Sequence, residues 1–283
     1  MLVIQIVLSI SSMLLHNCIL NQVCKKDLST TDHVYRFNII SYAVCIVLFS
    51  ILAITGGLSY FTLGMGVLFG VVTALSNLYK MLALSSGPMH LTLLITTAST
   101  ILPTMSGVFF GERFSLPKLF FVIVLLFFIY LTLGKSEDLR RSKLWLLYCA
   151  LAFVLQGSIG ILQKIHQTSS HKNETGGFLL VAFICSLVYS RIRAKKSFSE
   201  LKFTKRSVFF AFICGLCVFG MNYLNLKLSG ILPSQLFFPL VNGTTIVLSS
   251  LASYLFFHEN LSKRQIVGLL GGIASLIFIC LVP

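Results

Sequence analysis

The sequence predicts an all-α integral membrane protein of about ten transmembrane helices, arranged as two inverted five-helix repeats. Three observations carry that expectation: composition, the spacing of uncharged apolar runs, and an internal repeat. Of the 283 residues, 56% are hydrophobic and only 11% are charged, with mean hydropathy +0.92. Soluble domains carry roughly 25% charged residues, so this chain has too few to cover a water-facing surface. A spanning helix needs about 20 apolar residues, and continuous apolar runs favour helices over the alternating pattern of a membrane β-barrel. The same composition excludes disordered and collagen-like classes.

Leu2–Val23 is uncharged and forms the first span. A secretory signal would open with a basic segment and carry a shorter apolar core. No charge lies between Arg36 and Lys80, and Thr55-Gly56-Gly57 interrupts that stretch, giving spans at about Phe37–Ile54 and Leu63–Lys80. The fourth and fifth follow at about His90–Phe110 and Leu116–Gly134, before a charged connection over Lys135–Lys143. The sixth, about Leu144–Gln163, opens with the single tryptophan, Trp145, and Tyr148 at a membrane interface. The seventh, about Gly176–Tyr189, is short and relies on Arg191 and Arg193 reaching out to headgroups. Spans at about Ser207–Leu226, Ser234–Phe257 and Gln265–Val282 complete the ten.

The repeat is visible in two segment pairs. Phe109-Phe-Gly-Glu112-Arg-Phe-Ser115 matches Phe256-Phe-His-Glu259-Asn-Leu-Ser262, and Tyr79-Lys-Met-Leu-Ala-Leu-Ser85 matches Tyr223-Leu-Asn-Leu-Lys-Leu-Ser229 at nearly the same offset. A duplicated five-span unit follows, over residues 1–135 and 143–283. Because five is odd, the second copy enters the membrane inverted. Inverted repeats are a signature of secondary transporters, which hold substrate between the halves near the midplane.

These motifs resemble the drug/metabolite transporter superfamily, most closely its EamA-like branch with two tandem copies. Gln265-Ile-Val-Gly268-Leu-Leu-Gly-Gly272 is similar to that family's last helix. The resemblance implies an all-helical carrier of small metabolites, often an exporter, with a cavity lined by spans 1, 3, 4, 6, 8 and 9. Its motif is a structural turn and leaves the substrate open. The small multidrug-resistance relatives use a membrane-embedded glutamate. Here all eight acids fall in predicted loops, so a cationic substrate lacks its counter-ion. Neutral, zwitterionic or anionic solutes fit better.

Polar side chains inside a bilayer are costly and therefore informative. His16 and Asn17 occupy span 1, and His16 is placed to carry a proton at about pH 6–7. Ser76, Asn77 and Tyr79 lie on span 3, with Gln156 on span 6 and Asn222 and Tyr223 on span 8. Thr96 and Thr100 share a face of span 4 beside Pro103, and Asn242 lies near Pro239 on span 9. These eleven residues are the candidate substrate-binding set, although interhelical hydrogen bonding alone would also account for them. Pro103 and Pro239 mark helices expected to bend. Glu112 and Glu259 are expected at the N-termini of the helices that follow them, with Ser115 and Ser262 as caps. Gly268 and Gly272 allow close helix approach, within a monomer or across a homodimer. Gly64, Gly66 and Gly70 form a packing motif rather than a nucleotide loop.

The eight cysteines (Cys18, Cys24, Cys45, Cys149, Cys185, Cys214, Cys217 and Cys280) lie in or beside apolar runs and read as small hydrophobic filler. Asn173-Glu-Thr and Asn260-Leu-Ser fit glycosylation sequons, a pattern that also arises by chance. There is no phosphate-binding Gly-Lys-Ser/Thr loop, no zinc spacing and no nucleophile elbow, so no cofactor, metal or enzymatic activity is expected. The net charge of +14 comes mostly from connections between spans, which points to lipid headgroups and topology rather than nucleic acid. Lys and Arg crowd the odd-numbered connections, seven of them over Arg191–Arg206. The positive-inside rule then puts both termini outside, whereas the resembled family usually has both inside. The expected protein is a multi-pass plasma-membrane secondary transporter. The alternatives are a flippase for a lipid-linked headgroup and a non-transporting receptor or assembly factor.

Overall fold

A computed structural model of the chain describes residues 1–26, 31–86, 89–113, 115–132, 143–194, 204–257 and 262–282. Glu259 and the Asn260 sequon fall outside the described residues. Every regular element among those described is helical, as an apolar solvent requires when each backbone polar group must find its partner within the segment. Among the described residues, seven helices are long and apolar enough to cross a membrane, and Ile95–Phe110 and Leu116–Leu131 are shorter apolar stretches. The protein is thus an all-α protein with the helices of a multi-pass membrane chain.

Two compact units make up the chain. The first takes Met1–Ala74 and Ile165–Leu228; the second takes Leu75–Lys164 and Ser229–Pro283. Each unit therefore draws on both halves of the sequence.

The first unit contains α1 (Leu2–Lys26), α2 (Thr31–Gly56), the start of α3 (Tyr60–Ser86), α8 (Thr175–Arg193) and most of α9 (Lys205–Ile231). Its principal contact is α2 against α8. Small residues allow the approach: a Cβ on Gly176 would lie 2.6 Å from the Leu52 carbonyl carbon. The rings of Phe49 and Phe183 stack across this seam at 5.5 Å. Gly66 and Gly70 admit α8 to α3 in the same way, facing Phe178 and Ala182 backbone, and Ser186 Oγ donates to the Gly70 carbonyl at 3.0 Å. Gly215 brings α9 to α2, where Ser41 Oγ donates to the Ala211 carbonyl at 2.8 Å. Cys214 and Cys217 are buried among apolar neighbours.

The second unit contains the rest of α3, α4 (Met89–Ala98), α5 (Ile101–Ser106) with a 3-10 turn at Gly107–Phe110, α6 (Leu116–Thr132), α7 (Lys143–Thr168) up to Lys164, the last residues of α9, α10 (Ser234–Phe257) and α11 (Lys263–Leu281). Here α6 packs along α11, with Val122, Leu125, Ile129, Leu269, Leu276 and Ile279 in one buried cluster. Phe121 stacks on Phe278 at 4.9 Å. Gly272 is buried against Val247 of α10, a contact within the chain.

The fourth span is broken, α4 ending at Ala98 and α5 starting at Ile101. Pro103 has no N–H to give, and the ladder tightens to three-residue bonds, Thr100 N to Thr97 O and Leu102 N to Ser99 O. Side-chain hydroxyls serve the carbonyls around the break: Thr96 to Thr92 O, Ser99 to Thr96 O, Thr104 to Thr100 O and Ser106 to Pro103 O. Such back-bonding bends helices.

Candidate functional site

In the second unit one face of α7 carries Trp145, Cys149, Gln156, Gly160 and Lys164, four or seven residues apart. Trp145 Nε1 donates to Thr92 Oγ1 at 2.9 Å. Ser76 Oγ of α3 donates to Gln156 Oε1 at 2.9 Å, which joins two residues of the candidate set. Ser76 is fully buried and Gln156 half-buried. Tyr79 faces Tyr148 with ring centroids 6.1 Å apart, and Asn77 is half-buried on α3. Gly157 and Gly160 bring α5 close, against Leu102 and Pro103. Thr96 and Thr100 are buried, and the Thr96 hydroxyl bonds its own helix backbone. Asn242 is half-buried on α10.

At the end of the α7 stripe lies an ion pair outside the candidate set. Lys164 Nζ sits 2.5 Å from Glu112 Oε1, with side-chain exposures of 6% and 17%. The ammonium also donates to the carbonyls of Ser229 (2.8 Å) and Leu232 (3.2 Å), at the C-terminal end of α9. Glu112 in turn accepts from Ser234 N (2.7 Å) and Ser234 Oγ (3.1 Å), at the start of α10. Each charge therefore meets the helix end whose dipole favours it, and the α9–α10 turn is clamped between them.

This corrects the expectation for Glu112. It caps α10 rather than α6, and Ser115 N donates to Gln235 Oε1 at 2.9 Å. The reason is local: Gly111 turns the chain through a left-handed φ of 73°. In addition Pro117, in the first turn of α6, offers no N–H to cap. The cap expected at Ser262 is present as a capping box, with Gln265 Oε1 2.8 Å from Ser262 N. Lys164 lies just beyond Gln163, the end that the sequence predicts for span 6, whereas α7 continues to Thr168. The absence of Gly or Pro before Gly176 is the signal that could have extended it.

In the first unit, α1 meets α9 through Ser9 Oγ, which donates to Asn225 Oδ1 at 2.5 Å, while Asn225 Nδ2 reaches Met13 Sδ at 3.6 Å. His16 and Asn17 are half-buried on α1. Asn222 Nδ2 donates to the Val218 carbonyl at 2.9 Å. Tyr223 stacks on Phe219, and Lys227 Nζ lies 4.5 Å from the Tyr223 ring centroid. The α7–α8 connection holds a second carboxylate cap. Glu174 Oε2 accepts from Ser59 N (2.8 Å) and Ser59 Oγ (2.7 Å) at the start of α3, and its Oε1 lies 3.1 Å from His171 Nδ1. Burial raises the Glu174 carboxyl, but hydrogen bonds from Thr62 and Ser59, with His171, outweigh it and hold the group at about 2.

No protein-family model matches this chain, and no curated protein matches it. Solved structures do match in fold. One, described only as the crystal structure of a protein, aligns over 99% of both chains with a TM-score of 0.77 at 14% identity. At that identity the likeness speaks for the fold alone: an experimentally determined chain adopts this architecture from end to end.

Proposed function

We propose that the protein is a secondary transporter that moves a small metabolite across a membrane by alternating access, without ATP. In this reading ten helices form two inverted repeats, residues 1–135 and 143–283, of the EamA-like drug/metabolite transporter type. The observation that carries it is the pairing of equivalent helices, α2 with α8 and α6 with α11. These are the second and the last spans of each sequence half. A pseudo-twofold axis relating the halves sets each such helix against its own counterpart. The Ser76–Gln156 pair offers uncharged hydrogen-bonding groups, which suit a neutral, zwitterionic or anionic solute better than a cation.

The test is a solute screen on purified protein in liposomes, with and without an imposed proton gradient. Saturable counterflow of one metabolite is expected, lowered by Gln156→Ala, and His16→Ala removes any proton dependence. Translocation of a lipid-linked headgroup instead of free solutes makes the protein a flippase. A protein that binds but moves nothing in either format is a receptor or assembly factor, and the transport reading is then wrong.

A further inference from the structure

At one end of the first unit three helix ends carry cations. α8 finishes with Arg191 and Arg193, α9 opens with Lys205 and Arg206, and Arg36 lies buried near the start of α2. Side-chain contacts bring these ends together. The Arg193 guanidinium lies beside the hydroxyls of Tyr35 on α2 and Tyr189 on α8. Phe37 of α2 shares a buried cluster with Ala211 of α9, and Phe210 packs against that cluster. The Arg206 guanidinium lies 5.3 Å from the Phe210 ring centroid. Among the described residues of this end the acid is Asp32, on α2, and α9 has no acid in its first turn.

Arg191, Arg193, Lys205 and Arg206 are exposed, so their charge faces outward. Apolar side chains stand among them: Ile192 is 75% exposed, Phe209 59% and Val208 43%. Cations fixed on aromatic bodies beside bare aliphatic surface match a ligand that is anionic at one end and a hydrocarbon at the other. Inorganic phosphate satisfies only the first half of that description. We propose that this end of the first unit binds the phosphate of an anionic phospholipid, seated among Arg191, Arg193, Lys205 and Arg206 with its acyl chains along Ile192, Val208 and Phe209. The proposal is independent of whether the protein transports anything.

The test uses the full chain in neutral detergent, following its thermal unfolding midpoint. Dioctanoylphosphatidylglycerol is expected to raise the midpoint saturably, dioctanoylphosphatidylcholine and inorganic phosphate to leave it unchanged, and high salt to weaken the effect. The triple variant Arg191→Gln, Lys205→Gln, Arg206→Gln is expected to lose most of the rise. The triple variant Arg113→Gln, Lys172→Gln, Lys263→Gln removes the same charge from exposed positions elsewhere and is expected to keep it. Lys205→Gln alone is expected to weaken phosphatidylglycerol retention in native mass spectrometry, a second readout if the triple variant folds poorly. Equal stabilisation by phosphatidylcholine or by inorganic phosphate, or an unchanged response in the first variant, overturns the proposal.

Discussion

Lys164 and Glu112 are the residues on which local electrostatics can be tested most directly. Both are largely withdrawn from solvent, so deleting one leaves the other's charge uncompensated. Lys164→Met is expected to destabilise the protein by about 3–5 kcal/mol, and Glu112→Gln by less, because its amide still accepts from Ser234. The double variant is expected to recover part of the loss, and a double-mutant cycle of thermal or denaturant unfolding in detergent measures the coupling. Glu174 makes a pH prediction. Its carboxyl is held at about 2 in the folded chain and titrates at roughly 4.3 when unfolded. A depressed carboxylate contributes its stability above the unfolded value and loses it as the pH falls toward the folded one. Acidification from about pH 5 to pH 2 should therefore destabilise the wild type more than Glu174→Gln, as read by unfolding midpoints across that range.

Among the elements, packing turns on glycines whose neighbours are backbone. Gly176→Ala puts a methyl group into the Leu52–Ala53 peptide, which cannot swing aside, so a loss of about 1–3 kcal/mol is expected. Gly64→Ala meets nothing within 4 Å, and in mid-helix it should stabilise by about 0.5–1 kcal/mol. Comparing the two melting curves separates close packing from propensity. The sequence made the helices readable because apolar runs and their interruptions are local. α10 runs over Ser234–Phe257, the span expected from the sequence, and Ser262 caps α11 as expected, with Gln265 as a partner the sequence reading did not assign. Of the three glycines expected to form a packing motif, Gly66 and Gly70 do meet α8, whereas Gly64 faces nothing within 4 Å and takes no part in packing. The Glu112–Ser234 bond was not legible: its partners stand 122 residues apart, and no local pattern links them. The span-4 hydroxyls were ambiguous, since a threonine that serves its own helix and one that lines a cavity look alike in one dimension. The structure shows Thr96 doing the first.

For the whole molecule, orientation is the property that charge controls. Lys and Arg concentrate in the connections around residues 139 and 198, so reporter fusions at those two positions should both report the cytoplasmic side. A periplasmic or luminal signal at 198 would show that another determinant sets topology.

The interleaving of the two units also constrains biogenesis. Each unit needs a stretch from before residue 75 or 165 and another made much later. Helices leaving the ribosome early therefore wait in the bilayer with their seams open until α8 and α11 arrive to close them. A truncated chain ending at residue 142 should be degraded when produced alone. Co-production with residues 143–283 should rescue both pieces as a complex that co-purifies.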